Sequence, residues 1–372
     1  MNESTMIIRS RKPEAGSRTY YFDYLRVLAC FSVIIMHITA IMSLSAEGTW
    51  YNADVKSFYW HVLNVYNCLV RFCVPVFVMI SGALFLNPDK YIPVRKLYTK
   101  YIPRIVILFI FWSVMLSVTS YIKGIIIDHT NDLEKLNLED IIIGPFHFWF
   151  LYMIVGLYMI VPLLRKITES ESLTKYFLVL AVIFTFFLPD CADFISLFSE
   201  KYGKFLSGRI NTLDLRFAAG FTGYFLLGHF LNKVHISRKT ERIIYLVGIA
   251  AIIMMPIVSG YISVLKNKPV MIFDYISVNV LCESTVLFVF FKQHFNRENK
   301  FIRKLSQYSL GAYIVHVKAM NLTNMFISMF KLKANAFSIL FAVPAVGAVI
   351  FVIALTASGI LNHIPVIKKY LV

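Results

Sequence analysis

The sequence predicts an all-α polytopic membrane protein, a bundle of about ten transmembrane helices with both termini in the cytoplasm. Hydrophobic residues make up 58% of the 372 residues, and the mean hydropathy of +0.68 is above the usual range for a soluble domain of this length. The apolar residues fall into runs, and most are long enough to cross a bilayer, which takes about 20 residues of helix. Lysine and arginine concentrate in alternate connections between these runs, the pattern expected of a membrane protein.

The candidate spans number ten, and the fifth is short. In chain order they are Phe22–Ile41, Val62–Leu86, Tyr101–Ile122, Phe146–Leu164, Tyr176–Pro189, Leu215–Leu231, Ile243–Leu265, Met271–Phe291, Ser309–Met329 and Ala336–Leu361. With the N-terminal tail in the cytoplasm, 23 basic residues fall on the inner side and ten on the outer side, which favours this orientation. We expect the two longest outer connections, Lys123–Pro145 and Asp190–Asp214, to be polar loops.

The chain is expected to form one membrane domain at residues 20–365, between cytoplasmic tails at residues 1–19 and 366–372. No linker rich in Pro, Gly or Ser divides it. The first apolar run follows a polar segment and is itself long enough to span, so we expect it to stay as an anchor rather than be cleaved as a signal peptide. A multi-pass protein of the plasma or inner membrane is the predicted location.

The net charge of +16 does not indicate a nucleic-acid partner, because the basic residues are spread over short connections rather than gathered in one patch. Positive-inside topology accounts for most of the charge, and the inner connections would also attract an anionic cytosolic cosubstrate. The five cysteines show no CxxC or Cys/His ligand spacing, so neither zinc nor another metal site nor a disulfide framework is indicated.

Arg26 and His37 both lie inside the first apolar run, where ionisable side chains are costly and usually functional. Eleven residues separate them, so on an α-helix they are about 20° apart around the axis and roughly 16 Å apart along it. Arg71 lies about ten residues into the second run, which crosses in the opposite direction, and this places it at a depth similar to that of His37. The three side chains therefore predict a polar site within the membrane.

His37 is the candidate general base, because imidazole can take a proton from a hydroxyl near neutral pH. Arg26 and Arg71 are candidate cations for phosphates or an oxyanion. Two structural alternatives stay open: His37 could bond to a neighbouring helix, and Arg26 could extend to the interface.

Four further side chains in or near the apolar runs are candidates either for a site or for a structural role. His147 opens the fourth run beside Trp149, where a site residue and a structural one are both possible, whereas Trp149 is typical of an interfacial aromatic. Glu283 and His316 are interpreted as packing groups between helices.

Four stretches, in order, resemble the acyltransferase 3 family of integral membrane acyltransferases of the O-acetyltransferase type. They are RVLACFSVIIMH from Arg26 to His37, RFCVPVFVMISGALF from Arg71, the HFWFL run from His147, and SLGAYIVHV, which contains His316. The resemblance extends over nearly the whole chain.

The resemblance implies transfer of an acyl group, most often acetyl, from cytosolic acyl-CoA to a hydroxyl of a cell-surface or lipid-linked carbohydrate. It implies that His37 is essential, that Arg26 and Arg71 bind or orient the acyl donor, and that His147 and Trp149 contribute to the substrate site. It leaves succinyl and other acyl groups, the acceptor, the oligomeric state and a transient acyl-His37 open. The alternative function is a transporter or flippase for a polar or lipid-linked solute, with midplane charges lining its path.

Overall fold

The computed structural model describes residues 18–90, 92–126, 138–213, 216–272, 274–330, 334–335 and 337–365. All regular secondary structure in these residues is helical, which confirms the all-α prediction. Residues 1–17 and 366–372 lie outside the described part of the chain, so the two cytoplasmic tails stay predictions.

Fifteen α-helices are described. In chain order they are α1 Tyr21–Ile41, α2 Phe58–Leu69, α3 Cys73–Phe85, α4 Val94–Lys96, α5 Ile102–Ile126, α6 Leu138–Ile143, α7 Trp149–Thr168, α8 Glu171–Ala181, α9 Leu188–Phe198, α10 Glu200–Thr212, α11 Arg216–Lys233, α12 Arg238–Lys266, α13 Val278–His294, α14 Lys300–Met329 and α15 Ile339–Leu361. Two π-helical segments, Leu97–Tyr101 and Val182–Phe187, connect α4 to α5 and α8 to α9, and a 3-10 turn, Phe146–Phe148, leads into α7.

Seven segments of the described chain are long and apolar enough to cross a membrane. They are Tyr21–Ile41, Phe58–Phe85, Val94–Thr119, Phe146–Thr168, Glu171–Phe198, Arg238–Lys266 and Ile339–Leu361. The other three predicted spans correspond to α11, α13 and α14. Polar side chains such as Glu283 and His316 lie buried inside the protein on two of these helices, which lowers their hydropathy. The protein is therefore a multi-pass membrane protein, and the count of ten spans stays a prediction.

The centre of the bundle is a close crossing of α3 and α11. A Cβ added to Gly82 would lie 1.8 Å from the carbonyl oxygen of Phe225, and one added to Gly228 would lie 2.0 Å from that of Met79. Only glycine lets the two backbones approach this closely, as in other membrane helix pairs. The crossing fixes α3, and with it the segment that carries Arg71.

The second predicted span, Val62–Leu86, is not one continuous helix. It breaks at Val70–Phe72, between α2 and α3. Pro75 supplies the reason, because proline has no N–H to donate to the carbonyl four residues earlier and its ring clashes with that carbonyl. That carbonyl belongs to Arg71, so the functional candidate lies at the break.

The prediction that Asp190–Asp214 forms a polar loop is wrong. The chain continues as helix α9 to Phe198 and then folds back as α10, Glu200–Thr212. The fifth span is correspondingly longer than the sequence suggested, because a π-helical segment joins α8 to α9 without ending the helix. In the other predicted loop, Lys123–Pro145, residues 127–137 lie outside the described chain.

Candidate functional site

His37 lies in the last turn and a half of α1, partly buried against two other helical elements. Its ring stacks on that of His316 from α14, with centroids 5.2 Å apart and planes 23° apart. The edge of the Phe146 ring is 5.2 Å away, and the His147 ring is 6.5 Å away. Helix α1 packs along α14 and α3, which holds this part of α1 inside the bundle.

His147 reaches the same point from the turn before α7. Gly144 has a positive φ of 69°, a conformation that favours glycine, and a Cβ there would lie 2.7 Å from the Phe109 ring. The chain can therefore turn tightly against α5 before Pro145 and the 3-10 turn. The turn directs the His147 ring inward, where the residue is 2% exposed and lies 5.1 Å from the His316 ring.

His316 is fully buried, and its own helix fixes its tautomer. Its Nδ1 lies within hydrogen-bond distance of the Tyr313 carbonyl oxygen, which can only accept. In the neutral ring Nδ1 therefore carries the proton and Nε2 is the acceptor. Nε2 is buried and has no hydrogen-bond partner among the described residues.

His37, His147 and His316 form what we call the histidine cluster. Both ring nitrogens of His147 are also buried without a hydrogen bond to the described residues; the Ile314 carbonyl approaches the ring without meeting hydrogen-bond geometry. Buried polar groups are normally satisfied, so the unpaired imidazole nitrogens make this cluster a candidate site. Among the described residues, no group of three or more His, Cys, Asp or Glu side chains is arranged to hold a metal ion.

Arg71 is 6% exposed and is held at the helix break by two neighbours. Its Nε donates to Asn67 Oδ1 at 3.0 Å and its Nη2 to the same oxygen, and its Cζ lies 5.6 Å from the centre of the Tyr275 ring. Guanidinium has five N–H groups, and Asn67 is its one hydrogen-bond partner among the described residues. Arg71 therefore keeps donors for a ligand.

A hydrogen-bonded path links Arg71 to the turn of α1 that carries His37. Asn67 donates from Nδ2 to Thr39 Oγ1 at 3.1 Å, and Thr39 donates to the Met36 carbonyl at 2.8 Å. Arg71 is also close enough to act electrostatically on His37. The sequence-based prediction that the two side chains lie at similar depth therefore agrees with their positions.

Glu283 lies behind the helix break, 2% exposed. The Phe72 backbone N–H and the Arg71 guanidinium both lie near its carboxyl group. A buried carboxyl beside a buried guanidinium offsets part of the free-energy cost of burying the cation. The position of Glu283 beside Arg71 therefore agrees with the interpretation of Glu283 as a packing group.

Among the described residues, the Trp149 ring packs on other aromatic rings than those of the histidine cluster. Its ring lies 5.5 Å from Tyr275 and 5.8 Å from Phe221, and Tyr275 in turn donates to Met36 Sδ at 2.8 Å. Trp149 thus reaches the site through the tyrosine that underlies Arg71.

Arg26 lies toward the predicted cytoplasmic end of α1 and pairs with Asp23, the two side chains being 3.6 Å apart. Asp23 is buried, and it also accepts from Arg18 at 2.8 Å and from Ser306 Oγ at 2.7 Å. Arg26 keeps 30% of its side chain exposed, so it is a cation that a ligand can reach.

A cavity of about 440 Å³ runs from Arg26 into the bundle; we call it the Arg26 cavity. Its polar lining residues are Arg26, Ser81, Tyr101, Arg104, Tyr158, Ser306, Ser309 and Tyr313. Tyr313 is part of this lining, and its hydroxyl donates to the His147 carbonyl. The ring of Tyr313 is 5.8 Å from that of His316. Tyr313 therefore lies between the Arg26 cavity and the histidine cluster.

A second cavity, of about 340 Å³, lies on the other side of His147, between α5, the Gly144–His147 turn and α14. We call it the His147 cavity. His147 lines it directly, so the two cavities approach each other at the contact between Tyr313 and His147.

Sequence reasoning missed several residues of this site. It interpreted His316 as a packing group, yet the ring stacks on His37. Asn67 and Tyr275 carry no signal in a single sequence, because polar and aromatic residues of these types are common. Tyr313 and His316 did have one signal, since both lie in the family-like SLGAYIVHV stretch.

Comparisons with known proteins agree with this geometry. A family model described as an acyltransferase domain, the acyltransferase 3 type, matches residues 19–363. Searches of curated proteins and of solved structures found no match. Since the family model covers nearly the whole chain, the chain belongs to the acyltransferase 3 family of integral membrane acyltransferases.

Proposed function

We propose that this protein transfers an acyl group, namely acetyl, from cytosolic acyl-CoA to a hydroxyl of a cell-surface or lipid-linked carbohydrate in the plasma or inner membrane. Membership of the family supports acyl transfer over the transporter or flippase alternative. The observation that carries the proposal is the position of His37 in a cluster of three imidazoles beside Tyr313, which lines the Arg26 cavity.

The Arg26 cavity is the proposed donor site. Arg26 and Arg104 both line it, and guanidinium groups suit the phosphates of CoA. Arg26 and His37 are roughly 16 Å apart along α1, a distance suited to an extended pantetheine arm between phosphate and thioester. The thioester would then lie beside Tyr313 and the histidine cluster.

His37 is the proposed catalytic base. It takes the proton of the acceptor hydroxyl, and the hydroxyl oxygen attacks the thioester carbonyl to form a new C–O bond. Collapse of the tetrahedral intermediate breaks the C–S bond, and the imidazolium returns the proton to the departing CoA thiolate. Alternatively, His37 attacks the thioester first, which breaks the C–S bond and releases CoA as its thiol; the acceptor hydroxyl then takes the acyl group from the imidazole, which leaves as neutral His37.

Arg71 and His316 have supporting parts in this proposal. The spare N–H groups of Arg71 stabilise the negative charge on the carbonyl oxygen, which has most effect where water is excluded. His316 positions His37 by stacking on it, and Nε2 of His316 can accept a proton within the cluster. His147 and Trp149 belong to the substrate side.

The test is transfer of radiolabelled acetyl from acetyl-CoA by membranes that contain this protein, with envelope glycan extract as acceptor. Label in the glycan with the wild type, and none with His37→Ala at the same protein level, is the expected result. Equal labelling by both would refute the role of His37, and binding of acetyl-CoA without any transfer would refute the proposed acceptor class.

A further inference from the structure

We propose that the His147 cavity is the acceptor subsite and that it takes one hydroxyl-bearing sugar ring. The inference rests on the proposed function, and it adds the place where the acceptor binds, the residues that hold it and the chemistry that they recognise. The cavity, at about 340 Å³, lies at the lower end of the size range of small-molecule sites.

The first support is the imidazole of His147. The residue is 2% exposed, it lines the cavity, and neither ring nitrogen has a hydrogen-bond partner among the described residues. In the neutral ring one nitrogen donates and the other accepts. A hydroxyl group can meet either, because it also donates and accepts. An alcohol of the acceptor is therefore the group that this wall of the cavity fits.

The second support is the rest of the lining. Ile314, Val317, Lys318 and Asn321 of α14 line the cavity, and their spacing of three, four and seven residues puts them on one face of the helix. Opposite them, α5 contributes Ser117.

Together the Ser117 hydroxyl and the Asn321 amide offer several donors and acceptors around one small space. Phe146, 55% exposed, adds an aromatic face, which attracts the positively polarised C–H groups of a sugar ring. This combination matches a polyhydroxylated ring better than an acyl chain. Two other cavities, between α8, α11 and α12 and between α5, α6 and α7, are lined almost wholly by apolar side chains.

The third support is position. The two cavities approach each other at the Tyr313 and His147 contact, and the His316 and His37 rings lie beside it. A donor thioester in the Arg26 cavity and a hydroxyl in the His147 cavity would therefore reach the same imidazoles from opposite sides. The His147 cavity faces the predicted outer side of the membrane, where a surface or lipid-linked glycan is available.

The kinetic test uses two pairs of matched variants in the full-length protein, with radiolabelled acetyl-CoA and envelope glycan extract. Ser117→Trp fills the cavity, and Val118→Trp puts the same ring on the neighbouring residue, which does not line it. Asn321→Ala removes an amide from the lining, and Leu322→Ala removes an exposed apolar side chain beside it.

We expect Asn321→Ala to raise the acceptor KM about five- to tenfold, the effect of losing one or two hydrogen bonds, and Ser117→Trp to raise it further. The KM for acetyl-CoA should stay within about twofold in both, and both controls should behave as wild type. An unchanged acceptor KM in both cavity variants, with an active wild type, would overturn the acceptor subsite. An equal rise in both KM values would show a structural effect instead.

A second measurement separates failure of this inference from failure of the proposed function. Asn321→Cys is labelled from outside the cell with a membrane-impermeant thiol reagent, above the background of the five native cysteines. Glycan extract should protect this cysteine, and CoA should not. If the wild type transfers no acetyl but protection is seen, the proposed chemistry fails and the subsite stands; absence of protection overturns the subsite.

Discussion

Replacement of His37 by alanine tests the centre of the proposed mechanism. A positioned general base contributes about 10²- to 10⁴-fold to a rate. His316 cannot readily replace it, because its ring is 5.2 Å from that of His37 and a base must lie within about 3 Å of the oxygen whose proton it takes. We therefore expect a loss of about 10³-fold or more in turnover, equal to about 4 kcal/mol in activation free energy.

The same change should leave the protein folded. No hydrogen bond joins the His37 ring to the described residues, so its removal leaves no buried partner unpaired. What is lost are the ring contacts with His316 and Phe146, worth about 1 to 3 kcal/mol together. A loss of this size can be distinguished from unfolding by comparing expression and elution in detergent.

The assay is acetyl transfer from labelled acetyl-CoA to envelope glycan in membranes with matched protein levels. The control is His61→Ala, because His61 is also partly buried beside an aromatic ring, 5.3 Å from that of Trp60, and lies ten residues before Arg71 in the chain. His37→Gln extends the test, since an amide can hydrogen-bond but cannot take the proton. Turnover above one tenth of wild type in His37→Ala, with His61→Ala fully active, would refute the proposal that His37 is the base or the acyl carrier.

Three further predictions concern the donor site, the oxyanion and the helix crossing. Arg26→Gln should raise the KM for acetyl-CoA about tenfold by removing a phosphate contact, with little change in the acceptor KM. Separate measurements of the two KM values check this, and a change in the acceptor KM alone would contradict it. Arg71→Lys should lower kcat about 10²-fold although the charge is kept, because an ammonium cannot reproduce the fork of N–H donors that Asn67 orients; wild-type kcat in this variant would remove the oxyanion role. Gly228→Ala should lower the unfolding free energy by about 1 to 3 kcal/mol or abolish expression. The control Gly156→Ala, where an added Cβ meets nothing within 4 Å, should be neutral or stabilise the protein by up to about 1 kcal/mol. Thermal unfolding in detergent measures both variants, and equal effects would contradict the close crossing.

The element types could be predicted well because a bilayer imposes a one-dimensional rule. A helix must be apolar over about 20 residues to cross, so hydropathy marks most of the spans without any knowledge of packing. The rule works less well where packing replaces lipid. Helices α11, α13 and α14 are less apolar because part of their surface is buried in protein, and α10 is a helix although its sequence suggested a loop. The break at Arg71 follows from Pro75 and its effect on the carbonyl four residues earlier, although the sequence prediction has one continuous span here.

The sequence by itself determined the class of the protein and its two strongest site candidates. Arg26 and His37 stand out because an ionisable group in an apolar run is rare and costly, and their spacing of eleven residues already places them on one face of a helix.

Only the tertiary structure decided what meets His37. His147 and His316 lie 110 and 279 residues further along the chain, and no local pattern says that the turn before α7 and this face of α14 will lie against α1. That choice is made by side-chain packing between helices, by the glycine crossing of α3 and α11 and by the turn at Gly144, all of which depend on contacts between distant residues. The same contacts create the two cavities, since a cavity is a property of how helices pack and not of any one of them.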